Sequence, residues 1–175
     1  LGVYNTDKRE NEAFLSFAKH FHNLGLNVPR IFAHFAEENI YFIEDLSDTT
    51  LYDYLQTCNN ELSKIEIYKK VIDKLIEFQN KAIENLDLTK AYPKAEFDKQ
   101  SIMWDLNYFK YMVLKVAKVP FDEQKLENDF EQLAYLLTNL DTNFFLYRDF
   151  QSSNIMLFKN EIYFIDFQGG RKGSF

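Results

Sequence analysis

The residues of this sequence that could do chemistry lie close together near its C-terminal end. Asp149 and Asn154 stand in one polar stretch, and Asp166 follows after two short apolar runs, 154–158 and 162–167. Two such runs with a short polar connection are typical of a β-hairpin. Because a hairpin places the entry of its first strand beside the exit of its second, Asn154 and Asp166 are predicted to meet at one edge.

An amide oxygen and a carboxylate that meet in this way suit a magnesium ion. Both are hard oxygen ligands, and waters with phosphate oxygens would complete the octahedron that Mg²⁺ requires. Asp149 would then accept the proton of an incoming hydroxyl group. The order Arg-Asp-x-x-x-x-Asn, hairpin, Asp-Phe, here from Arg148 to Phe167, is that of the catalytic and metal loops of kinases. The pattern predicts phosphoryl transfer.

The same residue types also occur where no chemistry takes place. Asp and Asn favour turns and strand ends, so Asp149 and Asn154 alone would indicate no more than two turn caps. The hairpin, the second aspartate and the Gly169-Gly170 pair in register are what favour a functional site.

Composition limits the classes of partner and compartment. With 175 residues, 46% of them hydrophobic and 17% aromatic, the chain is one folded domain or a large part of one. A formal net charge of −7 argues against a nucleic-acid partner. No apolar run reaches the roughly 18 residues of a membrane span, so no membrane partner is expected. The single cysteine, Cys58, cannot form an internal disulfide, which favours a cytoplasmic location.

Hydrophobic periodicity predicts an α+β fold with a helical middle. Helices are predicted over 9–24, from Ser63 onward, over 99–117 and over 123–140, and strands over 31–35, 40–43 and the terminal hairpin. Ser63 begins a capping-box pattern, and the predicted inner face of its helix is Tyr68, Val71, Ile72, Leu75, Ile76 and Gln79. The helix over 99–117 is predicted to bury Ile102, Leu106, Phe109, Met112, Val113 and Val116.

Glu10 is the upstream acid that could belong to the same site. At 100° per residue it shares a helix face with the apolar residues Phe14 and Phe17, whereas Glu12 lies on the opposite side. Glu10 is therefore predicted to point inward. An acid that merely favours the positive end of the helix dipole is the alternative.

The segment Glu44-Asp45-Leu46, which follows the predicted strand over 40–43, is interpreted as a hinge between two lobes. Backbone groups of such a hinge could pair with the edge of an adenine base. The pattern itself is only a strand followed by a loop, and its place in the chain is what favours the interpretation.

Several stretches together resemble the aminoglycoside phosphotransferase and choline kinase-like family, small-molecule relatives of the protein kinases. They are "ENEAF", "NVPRIFA", "YFIEDLSDTTLYDYL", "IMWDLNYFKYMVLK", "YRDFQSSNIM" and "YFIDFQGGRKG". "RDFQSSNIM" with "YFIDFQGGR" is most similar to the bacterial anomeric sugar kinases that phosphorylate N-acetylmuramate and N-acetylglucosamine in cell-wall recycling.

The resemblance implies an α+β, protein-kinase-like small-molecule kinase that uses ATP and Mg²⁺. Residues 1–46 would be the remainder of the N-lobe and residues 47–175 the helical C-lobe. Asp149 would be the catalytic base, with Mg²⁺ held by Asn154 and Asp166. The nucleotide would be served by Glu10, as partner of an ATP-binding lysine, and by the hinge residues Glu44, Asp45 and Leu46.

The sequence departs from the family pattern in three places. Tyr147 stands where the family usually has histidine, and a tyrosine can still pack and donate a hydrogen bond. The Gly-rich phosphate loop and its strand lysine are absent and would precede Leu1. The C-terminal helices that help to wall the acceptor site would follow Phe175. We therefore expect this chain to be an interior segment of a longer protein, which on its own could be inactive.

The acceptor is expected to be a small hydroxylated molecule, most plausibly an amino sugar. Trp104 or Tyr108 could stack on a sugar ring, and Asp105, which shares a helix face with Tyr108, could take two hydroxyl groups. A helix with a partly buried Trp and a solvated Asp is the alternative. Arg171 could meet a phosphate or an acid group of the acceptor.

Other functions stay open at this point. Within the same class, the acceptor could be an aminoglycoside, choline or homoserine. In a different class, the chain could be a non-catalytic, kinase-derived binding module, although all three of Asp149, Asn154 and Asp166 are present. The oligomeric state cannot be read from these residues.

Overall fold

A three-stranded antiparallel sheet and a long helix form the first part of the chain. The computed structural model describes residues 1–174. Strands β1 (Gly2–Tyr4), β2 (Ile31–Phe35) and β3 (Ile40–Ile43) pair in the order β1-β3-β2. Strand β1 was not predicted, because three residues are too few for an alternating pattern to be visible.

Helix α1 (Lys8–Asn23) has the ends and the buried face that its sequence predicts. The Asp7 side chain caps it by accepting from the backbone N–H groups of Arg9 and Glu10. Gly25, with φ of +73°, stops it in a conformation that glycine adopts without strain. The apolar residues predicted to lie inward are all buried, and they are Phe14, Phe17, Ala18 and Phe21.

The middle of the chain is helical. It consists of α2 (Leu51–Thr57), α3 (Glu61–Ala82), a 3₁₀ turn (Leu88–Lys90), α4 (Lys99–Phe109), a π-helical turn (Lys110–Leu114) and α5 (Glu123–Thr138). None of the helices in the part of the chain that the structure describes is both long enough and apolar enough to cross a membrane.

The prediction for α3 is wrong at its start and along part of its face. Asn60, not Ser63, is the N-cap, because its side chain accepts from the backbone N–H groups of Leu62 and Ser63. The helix rests on β4 and β6 along its C-terminal half, where it buries Val71, Phe78, Gln79 and Ala82. The predicted inner residues that lie exposed instead are Tyr68, Ile72 and Ile76.

The helix predicted over residues 99–117 ends as an α-helix at Phe109. The following π-helical turn changes the side-chain register, because it adds a residue to the turn. Lys110, which begins this turn, is buried and pairs with Glu123 at 2.5 Å and Glu127 at 2.6 Å, which ties the turn to α5. Of the predicted inner residues Ile102 is buried, whereas the exposed ones are Phe109, Met112, Val113 and Val116.

The last part of the chain forms two small antiparallel pairs. Strands β4 (Phe144–Leu146) and β7 (Arg171–Gly173) pair with each other, and β5 (Ile155–Phe158) and β6 (Glu161–Phe164) form a hairpin. The two turn residues of this hairpin, Lys159 and Asn160, have φ of 52° and 64°, as a tight two-residue turn requires. The predicted hairpin is therefore confirmed.

Aromatic rings from helices and strands fill the core between these elements. Phe21 of α1 lies at the centre, with ring-centroid distances of 4.9 Å to Phe78, 5.0 Å to Phe145 and 5.2 Å to Phe167. Phe167 follows Asp166 directly, so its buried ring, which packs on Phe14 and Phe21, anchors the predicted metal loop to α1. The α+β fold predicted from the sequence is confirmed.

Candidate active site

Asn154 joins the two ends of the hairpin, as the sequence predicts. Its side chain is buried, and its amide nitrogen donates to the backbone carbonyl of Asp149 at 3.1 Å and to Oδ2 of Asp166 at 3.0 Å. Asn154 ends a short 3₁₀ turn, Ser152–Asn154, and lies directly before β5. The three residues predicted as base and metal ligands are therefore neighbours in space.

The backbone around this cluster is strained. Arg148, Asp149 and Asp166 have φ of 61°, 43° and 63°, in the left-handed region that costs an L-residue about 1–2 kcal/mol. Such conformations persist only where surrounding contacts hold them, and they concentrate at functional sites. Here the holding contacts include the amide of Asn154 and the hydroxyl of Tyr147, which donates to the backbone carbonyl of Ile165.

Tyr147 links the predicted catalytic loop, residues 148–154, to the predicted metal loop, residues 166–170. It is buried, packs against Phe78, Phe150 and Phe164, and donates to the carbonyl immediately before Asp166. Burial, and then the negative charge of Asp166, raise the pKa of the Tyr147 phenol well above its usual value. The hydroxyl therefore stays protonated and remains a donor.

Glu10 points toward the site, on the face predicted for it. Its Oε2 accepts from the Asn5 amide at 2.9 Å and its Oε1 from the Gln168 amide at 3.3 Å. Within residues 1–174 no lysine or arginine pairs with Glu10. Gln168 was missed by the sequence reasoning, and the only available signal was its place two residues after Asp166.

A cleft of about 370 Å³ opens between the hinge and the metal loop. The predicted hinge residues Glu44, Asp45 and Leu46 line one side of it, and Asn154 and Asp166 line the other. The structure thus brings the predicted hinge residues and the predicted metal ligands to one cleft, whose lining does not include Glu10.

Part of the hinge backbone is already engaged in the fold. The N–H of Glu44 donates to the carbonyl of Arg30 at 2.8 Å, and Oδ1 of Asp45 accepts from the N–H of Ser47 at 2.9 Å. A base in the cleft would therefore have to pair with other backbone groups of the hinge.

The donor set at the end of the hairpin fits a magnesium ion. The amide N–H groups of Asn154 donate to Asp149 and Asp166, and no donor among the described residues bonds to its Oδ1. This oxygen can therefore bind a metal ion. Each carboxylate oxygen of Asp166 accepts one amide N–H and keeps a further lone pair. In residues 1–174 no three His, Cys, Asp or Glu side chains group as a metal site. Water and phosphate oxygens would supply the other ligands.

Of the predicted acceptor residues on α4, Asp105 contacts the loop that contains Asp149. Asp105 forms a two-pronged ion pair with Arg148, in which Nη2 lies 3.3 Å from Oδ1 and Nη1 contacts Oδ2. Both carboxylate oxygens that were predicted to take sugar hydroxyls thus accept from Arg148. Trp104 is 53% exposed and Tyr108 is 67% exposed. One face of the Trp104 ring lies under the Lys94 ammonium, which is 5.1 Å from the ring centroid.

Arg171 is held by the chain itself. Only 6% of it is exposed, and its Nε and Nη2 donate to the carbonyl of Gly169 at 3.3 and 3.1 Å. Burial, and then the nearby Arg148, lower the pKa of this guanidinium. The structure therefore places Arg171 under the loop that carries Asp166, a predicted metal ligand, rather than on an open surface.

The comparison with solved structures identifies the fold. The ternary complex of streptomycin, ATP and the aminoglycoside phosphotransferase APH(2″)-IIa superposes on 97% of this chain with a TM-score of 0.59 and 15% sequence identity. The chain spans 58% of the length of that protein. No family model and no curated protein matches the chain. At this identity the likeness shows a shared fold.

Proposed function

We propose that this chain belongs to an ATP- and Mg²⁺-dependent phosphotransferase that transfers the γ-phosphoryl group to a hydroxyl group of a small molecule. The observation that carries the proposal is the cluster of Asp149, Asn154 and Asp166 at the end of the hinge cleft. Phosphoryl transfer depends on positioning and charge rather than on covalent chemistry, and a strained, tightly bonded cluster supplies positioning. The shared fold supports the same reading.

Each part of the site has one task in this proposal. The backbone of Glu44, Asp45 and Leu46 holds the base in the cleft, and Asn154 with Asp166 holds the metal. Bound Mg²⁺ would neutralise charge on the phosphate oxygens. Asp149 is exposed beside these groups and accepts the proton of the acceptor hydroxyl. Residues 1–46 and 47–175 are proposed as the two lobes on either side of the hinge.

For the acceptor we propose an amino sugar such as N-acetylmuramate or N-acetylglucosamine. The support is the similarity of "RDFQSSNIM" and "YFIDFQGGR" to the anomeric sugar kinases, together with the exposed Trp104 and Tyr108 rings on the helix whose Asp105 contacts Arg148. With Asp105 paired to Arg148, the ring faces are the more accessible sugar contacts.

An aminoglycoside acceptor is the second candidate. It is favoured by the shared fold with a protein whose structure contains streptomycin and ATP. A non-catalytic module is disfavoured because Asp149, Asn154 and Asp166 are all present and lie together at the end of the hairpin.

The test is ADP production by the full-length protein with a panel of acceptors. The panel holds N-acetylmuramate, N-acetylglucosamine, streptomycin, choline and homoserine, each offered with ATP and Mg²⁺. We expect turnover with one of the amino sugars and a loss of about 10²–10⁴-fold in Asp149→Asn, the usual effect of losing a general base. Asp129→Asn, an exposed aspartate on α5, is the matched control. If Asp149→Asn turns over like the wild type on every acceptor, Asp149 is not the base.

A further inference from the structure

Gln168 lies between two carboxylates that come from opposite ends of the chain. Its amide nitrogen is 2.8 Å from Oδ1 of Asp166 and 3.3 Å from Oε1 of Glu10, so one amide group donates to both. Gln168 is partly buried and lines the hinge cleft. No other side chain in the described residues touches both acids by a hydrogen bond.

The remaining oxygens of the two acids are held by amides as well. Asn154 donates to Oδ2 of Asp166 at 3.0 Å, and Asn5 donates to Oε2 of Glu10 at 2.9 Å. Both carboxylates are therefore oriented through neutral donors, and neither is paired with a described lysine or arginine. Their charges remain available to a cation, while their mutual repulsion is opposed by the shared Gln168 donor.

We propose that Gln168 is a positioning residue, which fixes the orientation of Asp166 through Glu10 and thereby couples helix α1 to the metal loop. The inference rests on the proposed function for its ligand, a divalent metal with a nucleoside triphosphate. Two amides, Gln168 and Asn154, hold the two oxygens of Asp166 from either side. The lone pairs that remain on this carboxylate are then fixed in direction. Residues that hydrogen-bond to a metal ligand commonly orient that ligand in this way.

The coupling makes a specific demand on the side chain at position 168. It must reach both acids, it must donate to both, and it must be uncharged so that it adds no third negative charge. Glutamine meets all three conditions. A side chain of similar length without N–H groups would leave Asp166 held by Asn154 alone, and a shorter amide could not span the two acids.

The test measures metal binding rather than turnover. Mn²⁺ is the probe, added to the full-length protein with a non-hydrolysable ATP analogue, and bound metal is followed by electron paramagnetic resonance. Gln168→Met keeps the length of the side chain and removes the donor. We expect about 10-fold weaker Mn²⁺ binding, because removing a residue that hydrogen-bonds to a metal ligand commonly weakens metal binding by about 10- to 100-fold. Gln168→Asn keeps the amide but shortens it, and it should lose a comparable amount. Gln132→Met, an exposed position on α5, is the control.

A double-mutant cycle separates coupling from a local packing effect. If Gln168 acts through Glu10, then Glu10→Met also weakens Mn²⁺ binding, and Glu10→Met/Gln168→Met binds no more weakly than the weaker single variant. Two losses that multiply would overturn the coupling. Thermal unfolding of each variant is recorded alongside, because a purely structural role would lower the melting temperature without changing Mn²⁺ affinity in the folded protein.

The outcomes distinguish this inference from the function on which it rests. Wild-type protein that binds Mn²⁺ with the analogue, together with Gln168 variants that bind equally well, overturns the role of Gln168 and leaves the phosphotransferase proposal standing. Wild-type protein that binds no metal with the analogue overturns both.

Discussion

The phenolic hydroxyl of Tyr147 donates a hydrogen bond to the backbone carbonyl of Ile165, the residue immediately before Asp166. This bond joins the residue that precedes Arg148 and Asp149 to the one that precedes the metal loop. Tyr147 supplies both a packing ring and a hydrogen-bond donor at this position. The two loops are thus fixed to each other by a side chain that lies beneath them and not in the site.

Tyr147→Phe removes this bond while keeping the ring. We expect a loss of about 1 kcal/mol in the free energy of unfolding, the typical net contribution of one hydrogen bond, measured by urea denaturation. Tyr135→Phe is the control, because Tyr135 is 71% exposed and makes no described hydrogen bond through its hydroxyl. Equal stability of both variants would mean that water replaces the donor.

The ion pair between Arg148 and Asp105 can be tested in the same reaction that tests the function. If the pair positions the catalytic loop, then Arg148→Gln and Asp105→Asn both lower kcat, and the double variant falls no further, because residues that act as a unit are not additive. Steady-state kinetics with the acceptor found in the panel measures this. A rise in the KM of the acceptor in Asp105→Asn alone, with Arg148→Gln unchanged, would assign Asp105 to the acceptor site instead.

Substitution of alanine for Gly169 or for Gly170 is expected to have very different effects on the free energy of unfolding. A Cβ at Gly170 would lie 2.7 and 2.9 Å from Cε1 and Cε2 of the fully buried Phe145 ring, and closer still to its Cζ. The ring cannot move aside, so we expect Gly170→Ala to cost about 3 kcal/mol, the upper part of the usual range for overpacking. Gly169→Ala meets nothing within 4 Å, and we expect a change of at most about 0.5 kcal/mol. Thermal and urea unfolding of the pair provide the measurement.

The ionisation of Asp98, the N-cap of α4, should change the free energy of unfolding in acid. A hydrogen bond from Lys94, together with donors from Ser101, lowers the pKa of this carboxyl to about 2. Because the folded pKa lies below the unfolded one, the stabilisation is present above about pH 4 and is lost as the pH falls toward about 2. Asp98 is 44% exposed, so solvent screening keeps the contribution small.

Asp98→Asn isolates this charge, because asparagine can still cap the helix. We expect the variant to be less stable than the wild type at neutral pH and equal to it near pH 2, by urea denaturation at several pH values. Asp122→Asn at the N-cap of α5 is the matched control, since Asp122 caps its helix without a described ion pair. A constant difference between Asp98→Asn and the wild type across this range would contradict the assignment.

The sequence predicted those parts of the fold that depend on local geometry. The hairpin and the meeting of Asn154 with Asp166 follow from turn geometry, and the face of α1 follows from a single apolar stripe. In α3 and α4 apolar residues occur on more than one side, so periodicity alone does not show which side is packed. Ile72 and Ile76 therefore lie exposed, whereas Val71 and Phe78 are buried.

The parts of the site that could not be predicted are made by residues distant in sequence. Gln168 with Glu10 and Arg148 with Asp105 pair across the fold, and neither pair leaves a local pattern. The roles predicted for Glu10, Asp105 and Arg171 stay predictions, and the contacts of these residues now define how to test them.

Two hydrogen bonds of this cluster, from Asn154 to Asp166 and from Gln168 to Glu10, differ in the length of chain that each one closes. Asn154 and Asp166 are 12 residues apart, whereas Glu10 and Gln168 are 158 apart. By loop-closure entropy the longer contact costs about 2 kcal/mol more to form, so the hairpin half of the site can assemble before α1 packs against it. A ligand that bridges the hairpin and the Glu10 side would slow hydrogen exchange in α1 and raise the temperature of global unfolding.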